Sequence, residues 1–209
     1  MEKINIWKNG FIYPMPVALL GTNYGNKANF MALGRVMRAN ANPPMLTVAV
    51  NKNHLTNKLI HDNRTFSVNF PDTEMIEKTD YCGLVSGKNE DKSKLFNVYY
   101  GELKTVPMIE ECPLSMECKL VDIYEMPTND LFIGEIIAMY NEEKYLNEGK
   151  PDIKKINPAV LTMPDNSYWN IGENIGKAWN IEKTSKNKKF FCRGTQACKK
   201  QSFFDAAKT

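Results

Sequence analysis

The chain has 209 residues, 43% hydrophobic and 24% charged, with a formal net charge of +3. This is the composition of a soluble globular protein and excludes collagen, coiled coil and a disordered chain. No apolar run reaches the roughly 18–20 residues that span a bilayer, and Met1-Glu2-Lys3 leads into a strand-like stretch without the apolar block of a signal peptide.

The expected address is therefore the cytoplasm, with no membrane partner. Five cysteines stand at 82, 112, 118, 192 and 198, and none of their spacings suits a zinc knuckle, so they read as reduced thiols. With His54 and His61 the only histidines, no metal site is expected. The positive charge is uneven. Residues 184–209 hold seven Lys or Arg against the single acid Asp205, which leaves 20 bases and 23 acids over residues 1–183. That basic tail has clumped phenylalanines and no period of 2 or 3.6, so it is an appendage, expected to be disordered or foreign to the natural protein. A net charge of −3 on the body argues against a nucleic-acid partner.

Strand signals dominate residues 1–183, as short β-branched and aromatic runs punctuated by Gly, Pro and Asn. Strands are predicted over Val17 to Gly21, Met45 to Val50, Thr65 to Phe70, Cys118 to Tyr124 and Leu131 to Tyr140. In the second of these, Leu46, Val48 and Val50 share a core face, while the smaller Thr47 and Ala49 can face a ligand. Short helices are predicted over Thr56 to Asn63, Asp72 to Tyr81 and Asn89 to Asn97, with Thr56 as a candidate N-cap. No βαβ series exists. Several strands with a few helices over their ends suggest one domain, a small closed barrel that leaves its flank and mouth for a ligand.

The common catalytic fingerprints are missing. Gly21-Thr22-Asn23-Tyr24-Gly25 lacks the third glycine and the helix of a dinucleotide site. Gly83-Leu84-Val85-Ser86-Gly87-Lys88 is one residue short of a phosphate loop, and no Gly-x-Ser-x-Gly elbow occurs. This moves weight from hydrolases and metalloenzymes toward a cofactor that brings its own chemistry.

Four segments could carry a site. Around Asn51, Lys52, Asn53, His54 and Thr56 a buried strand enters a helix, gathering backbone N–H groups and polar side chains that suit a phosphate monoester. Taken alone it also fits an ordinary solvated turn. From Asn29 through Met31, Ala32, Leu33, Gly34, Arg35 and Val36, small residues permit close approach of a flat ring, with Arg35 as a polar handle; a plain strand bend is the alternative. Between 80 and 96, Cys82, Ser86 and Gly87 lie in a glycine-rich turn, and Lys92 can stand beside an anion while Asp91 pairs or caps; a solvated charge run reads as well. Tyr168, Trp169 and Trp179 close the series as stacking, core or interface aromatics.

In this order the segments resemble the flavin reductase-like family that binds FMN in a split β-barrel, most closely its flavoredoxin branch. The likeness is carried by YPMPVALLGT at 13–22, NFMALGRV at 29–36, NPPMLTVAVNKNHLT at 42–56, TFSVNF at 65–70, DYCGLVSGKNEDKSKLF at 80–96, ECPLSMECKLVDIYEMPTNDLFIGEIIAMY at 111–140 and INPAVLTMPDNSYWNIGENIG at 156–176. The resemblance implies a mainly β, Greek-key-like FMN-binding split β-barrel with a few short helices, forming a homodimer with one noncovalent FMN per subunit. It assigns Met31 to Val36 to the isoalloxazine edge, and Asn51, Lys52, Asn53, His54 and Thr56 to the phosphate and ribityl chain. Ser86, Gly87 and Lys92 would close the cofactor from another side, with Asn29 and Cys82 beside it. The implied activity is an oxidoreductase that cycles bound flavin, taking electrons from a reduced nicotinamide or a ferredoxin-like protein donor. Two alternatives are a nonenzymatic FMN-binding electron carrier and a reductase that releases flavin as a substrate. Two positions depart from the family pattern. Asn129 stands where many relatives have a histidine, and Ala32 where they often have threonine, so roles tied to those side chains do not carry over.

Overall fold

The computed structural model describes residues 2–6 and 10–179. The basic segment 184–209, with Cys192 and Cys198, lies outside the described residues. The chain divides into two units, Met1–Gly172 and Glu173–Thr209. All regular structure named below belongs to the first.

In chain order the strands are β1 (Met15–Pro16), β2 (Ala18–Tyr24), β3 (Lys27–Leu33), β4 (Val36–Asn40), β5 (Met45–Asn51), β6 (Thr65–Phe70), β7 (Val98–Tyr100), β8 (Pro107–Ile109), β9 (Leu114–Glu125), β10 (Asn129–Asn141), β11 (Leu146–Asn147), β12 (Lys150–Pro151), β13 (Ala159–Thr162) and β14 (Ser167–Asn170). The α-helices are α1 (Leu55–Asn63), α2 (Ile76–Leu84) and α3 (Ile153–Ile156). Seven strands form one sheet in the order β3-β2-β6-β9-β10-β5-β4, and β1-β13-β14 form a smaller one.

The edges of the large sheet, β3 and β4, are consecutive in the chain and joined only by Gly34 and Arg35. Flat, a seven-stranded sheet would hold its edges about 29 Å apart, six spacings of about 4.8 Å. The link from Leu33 to Val36 reaches about 10 Å at full extension. The sheet therefore has to curl until its edges meet. No ladder joins β3 to β4, so the barrel is split along this seam, as the family resemblance implies, and not closed as the strand pattern alone suggests.

Inside the curl, alternate residues of the strands make one core. Leu20, Val48, Phe66, Val68 and Phe132 are fully buried there, and the Leu46, Val48 and Val50 face of β5 points inward as the alternation predicts. Leu19 points the other way, into a second cluster with Phe30, Met75, Cys82, Phe96 and Ile109, near α2. The β2–β3 strands turn over Gly25 and Asn26, with Gly25 taking the positive φ of 61° favoured at a two-residue hairpin.

The predicted strands are all present, several of them longer than expected, and the first two predicted helices appear as α1 and α2 with small shifts. Asp72 caps a 3-10 turn, Thr73–Met75, that leads into α2. The helix expected over Asn89 to Asn97 is corrected to a single 3-10 turn, Lys92–Leu95. Ser86 O accepts N–H bonds from both Asn89 and Glu90, closing a turn where the helix was expected to begin. The N-cap of α1 is His54 and not Thr56. A turn closed by His54 N–H on Asn51 O, with Asn53 N–H on Asn51 Oδ1, starts the helix earlier. Among the described residues no helix is long and apolar enough to cross a membrane.

Gly134 on β10 sits at a register shift against β9, and a Cβ there would lie 2.6 Å from the buried Phe66 ring. Gly134→Ala should cost about 1–3 kcal/mol through overpacking. Urea denaturation checks this; an unchanged midpoint would show that the Phe66 ring yields.

Candidate functional site

The seam opens into a cleft of about 660 Å³, its mouth included. Three stretches of chain form its walls. The end of β3 and the link supply Asn29, Met31, Ala32, Leu33, Gly34 and Arg35; the end of β5 and the start of α1 supply Ala49, Val50, Asn51, His54, Leu55 and Thr56. The end of α2 and the turn after it supply Cys82, Gly83, Val85, Ser86 and Gly87, with Lys92 beyond.

The first and third walls meet at Asn29 and Gly87. A Cβ on Gly87 would overlap Asn29 Oδ1, so only glycine lets the turn come this close. Asn29 is buried, and its amide donates to Thr56 Oγ1 at 2.9 Å and to Thr22 Oγ1 at 3.3 Å. Thr56 thus serves as a buried link between β3 and α1. No side chain caps α1 at His54; Asn57 N–H goes to His54 O, which leaves the Leu55 and Thr56 N–H groups without a side-chain cap at the cleft that His54, Leu55 and Thr56 line. Open N–H groups at a helix start favour an anion.

Three predicted site residues fall outside the cleft. Val36 comes after the link, where strand alternation resumes, and packs against the interior core while pairing with Val48. Asn53 is exposed, its backbone N–H taken up by Asn51 Oδ1. Lys52 is drawn to the other side of its turn by Asp130 at 3.4 Å and Glu125 at 3.6 Å. Conversely, Ala49, Val50, Leu55, Gly83 and Val85 line the cleft without having been singled out as site residues. Ala49 was visible on the ligand-facing side of the β5 alternation. Val50 was not, because alternation puts it in the core, and it reaches the cleft only as the strand ends. Asn129 pairs across from Asn51, with its amide on Thr128 Oγ1.

Positive charge lies on two walls. Arg35 is exposed at the link. Lys92 is only 4% exposed, and its ammonium donates to Cys82 O at 2.9 Å. Burial pulls the Lys92 pKa below the usual lysine range, against the opposing pull of Cys82. The neighbouring Asp91 anchors this segment by accepting from Ser93 and pairing with Lys27 at 3.0 Å. Burial pushes the Cys82 thiol up to about 11, against the lowering effect of Lys92. A thiol so raised is neutral near pH 7 and is no nucleophile. Of the late aromatics, Tyr168 Oη bonds Asp80 at 2.9 Å and Trp169 Nε1 bonds Thr162 Oγ1 at 2.8 Å, while Trp179 belongs to the second unit. Neither Tyr168 nor Trp169 lines the cleft.

A curled, split antiparallel sheet with a cleft at its seam, lined by small residues, an open helix start and a buried lysine, defines a class of cofactor-binding barrel. The chain belongs to the flavin reductase like domain family, which matches residues 10–161. It is 62% identical to flavoredoxin from Methanosarcina acetivorans, with a TM-score of 0.86 over 88% of this chain and 98% of that one. Flavoredoxin of Desulfovibrio vulgaris (Miyazaki F) is 30% identical, with a TM-score of 0.81 over 87% of this chain and 100% of that one. An FMN-binding protein from Thermus thermophilus, 23% identical, shares the fold at a TM-score of 0.73 over 85% of this chain and 98% of that one.

The thiols give a pH test. Cys82 should resist alkylation by iodoacetamide at pH 8 in the folded protein and react faster as pH rises toward 11, as mapped by mass spectrometry. The same raised pKa stabilises the fold below about pH 9, where the thiol is neutral folded or unfolded, and that contribution is lost as pH climbs through 11. Rapid labelling at pH 8 would contradict the burial.

Proposed function

We propose that the cleft binds FMN noncovalently and that the protein is a flavin-dependent oxidoreductase. In this reading it passes electrons from a reduced nicotinamide or a ferredoxin-like protein to an acceptor, and works as a homodimer. The observation that carries it is a convergence. Segments 29–35, 51–56 and 82–92, far apart in the chain, meet in one cleft, and these are the segments that the likeness to flavoredoxins ties to the cofactor.

The residues present suit FMN. Ala32, Gly34 and Gly83 leave room on the walls for a flat ring system, while Met31, Leu33 and Leu55 add apolar surface. The open start of α1, with Asn51, His54 and Thr56 around it, suits a dianionic phosphate. Arg35 and Lys92 favour an occupant that gains negative charge on reduction. When bound, the flavin supplies the electron chemistry, and the chain sets its orientation, potential and exposure to water. Cys82 keeps its proton and adds no competing redox chemistry. Asn129 can donate a hydrogen bond but cannot exchange a proton near neutral pH, so no proton transfer is assigned to that position. The homodimer rests on the resemblance.

Purified protein should stay yellow after desalting, with flavin absorbance bands and about one FMN per chain. It should oxidise NADH, NADPH or a reduced ferredoxin with a suitable acceptor. Colourless protein that still turns over free FMN would move the reading to a released substrate, and loaded protein that oxidises no donor would leave an electron carrier. Failure to bind FMN at all would end it. Gly87→Ala should weaken FMN binding about tenfold or more by forcing Asn29 out of place, measured by quenching of flavin fluorescence. Sedimentation should give twice the chain mass.

A further inference from the structure

Asp130 lies outside the cleft, yet it is the hub of the wall that supplies Asn51, His54 and Thr56. It sits on β10 in register with Val50 and is 3% exposed. Its Oδ2 accepts from Asn57 Nδ2 at 2.9 Å and from His61 Nε2 at 3.1 Å, and Lys52 Nζ lies 3.4 Å from Oδ1. Asn57 uses the same amide nitrogen to donate to Val50 O at 3.1 Å. Asp130 thus ties down residues 52, 57 and 61 directly and residue 50 through Asn57. The cleft-lining Asn51, His54 and Thr56 are interleaved with these tie points.

We propose that Asp130 is a positioning residue that holds the turn from Asn51 to Thr56 in the shape that binds the phosphate of the flavin. This rests on the FMN reading above. The side chains that bond or pair with the carboxylate are donors or a cation, and Glu125, its register partner on β9, shares Lys52 with it at 3.6 Å. Burial alone would raise the Asp130 pKa, but the bonds from Asn57 and His61 and the Lys52 ammonium together hold it below the usual carboxylate range. The carboxylate therefore stays charged at neutral pH and can accept from several donors at once. An amide in its place offers one acceptor oxygen and turns an N–H₂ group toward other donors. The turn would lose its common anchor while the β5–β10 ladder stayed intact, and Lys52 would keep only its pairing with Glu125.

The test compares FMN with riboflavin, which has the same ring system and ribityl chain but no phosphate. Flavin-free wild type, Asp130→Asn, Asn57→Ala and the double variant are titrated with each, and folding is checked by circular dichroism and thermal melting. Each single variant should weaken FMN about tenfold and riboflavin less than about threefold. The double variant should be no weaker than the weaker single, since both substitutions break one linkage. FMN affinity unchanged in a folded Asp130→Asn protein overturns the proposal. So does equal weakening of FMN and riboflavin, the mark of a merely structural role. Should Asp130→Asn fail to fold, Asn57→Ala with Lys52→Ala replaces it, and equal losses for the two flavins again overturn the proposal. Wild type that binds neither flavin instead removes the FMN reading, and the inference with it.

Discussion

Two residues joining the edges of a seven-stranded sheet set the geometry from which everything else follows. Gly34 and Arg35 cannot span a flat sheet, so the sheet curls, and its edges meet without bonding. Curling creates an interior that Leu20, Val48, Phe66 and Phe132 fill, and a seam that the same strands leave open. The seam is useful because of what lies along it. The ends of β3 and β5 face each other across a gap, and α1 and α2 present their ends beside it. A fully closed ladder would have consumed those backbone edges and left no cleft.

The walls of that cleft are held by buried polar groups as well as by apolar packing. Asn29 joins β3 to α1 through Thr56 and fits against Gly87. Asp130 gathers Lys52, Asn57 and His61 behind the opposite wall. Lys92 spans from the 3-10 turn after Asp91 back to the carbonyl of Cys82. Buried polar groups are stable only when their partners are correctly placed, so such contacts restrict the wall to few arrangements. A site proposed to hold a charged cofactor gains from that restriction, because less ordering remains to be done when it binds.

The strands were largely legible because alternation and β-branched composition are local signals. In β5 they specified both the core face of Leu46, Val48 and Val50 and the role of Ala49 on the other side. The site was legible as three segments, but their meeting was not, because no local signal says that residues 29–35, 51–56 and 82–92 share a cleft. The failures have the same origin. Lys52 reads as a phosphate ligand from its neighbours, and only the position of Asp130, on a strand some eighty residues away, shows the carboxylate that it pairs with. Thr56 looked like a helix cap, and its hydroxyl proved to be taken by Asn29 from another strand. The predicted helix over Asn89 to Asn97 rested on a capping residue whose backbone N–H goes to Ser86 instead.

The charge balance follows the same division. The net +3 of the chain hinted at anionic partners, yet 184–209 carries the excess, and the body is mildly acidic. What bears on an anion is the placement of Arg35, Lys92 and the open start of α1 around one cleft, not the sum. The sequence by itself determined the strand pattern, the core faces, the residue types able to meet a flavin, and the family, since these depend on composition and short-range order. Only the tertiary structure decided where the sheet splits, which polar residues face the cleft, and which are held behind it. Those outcomes depend on contacts between residues far apart in the chain, which become fixed only when the sheet curls and brings them together.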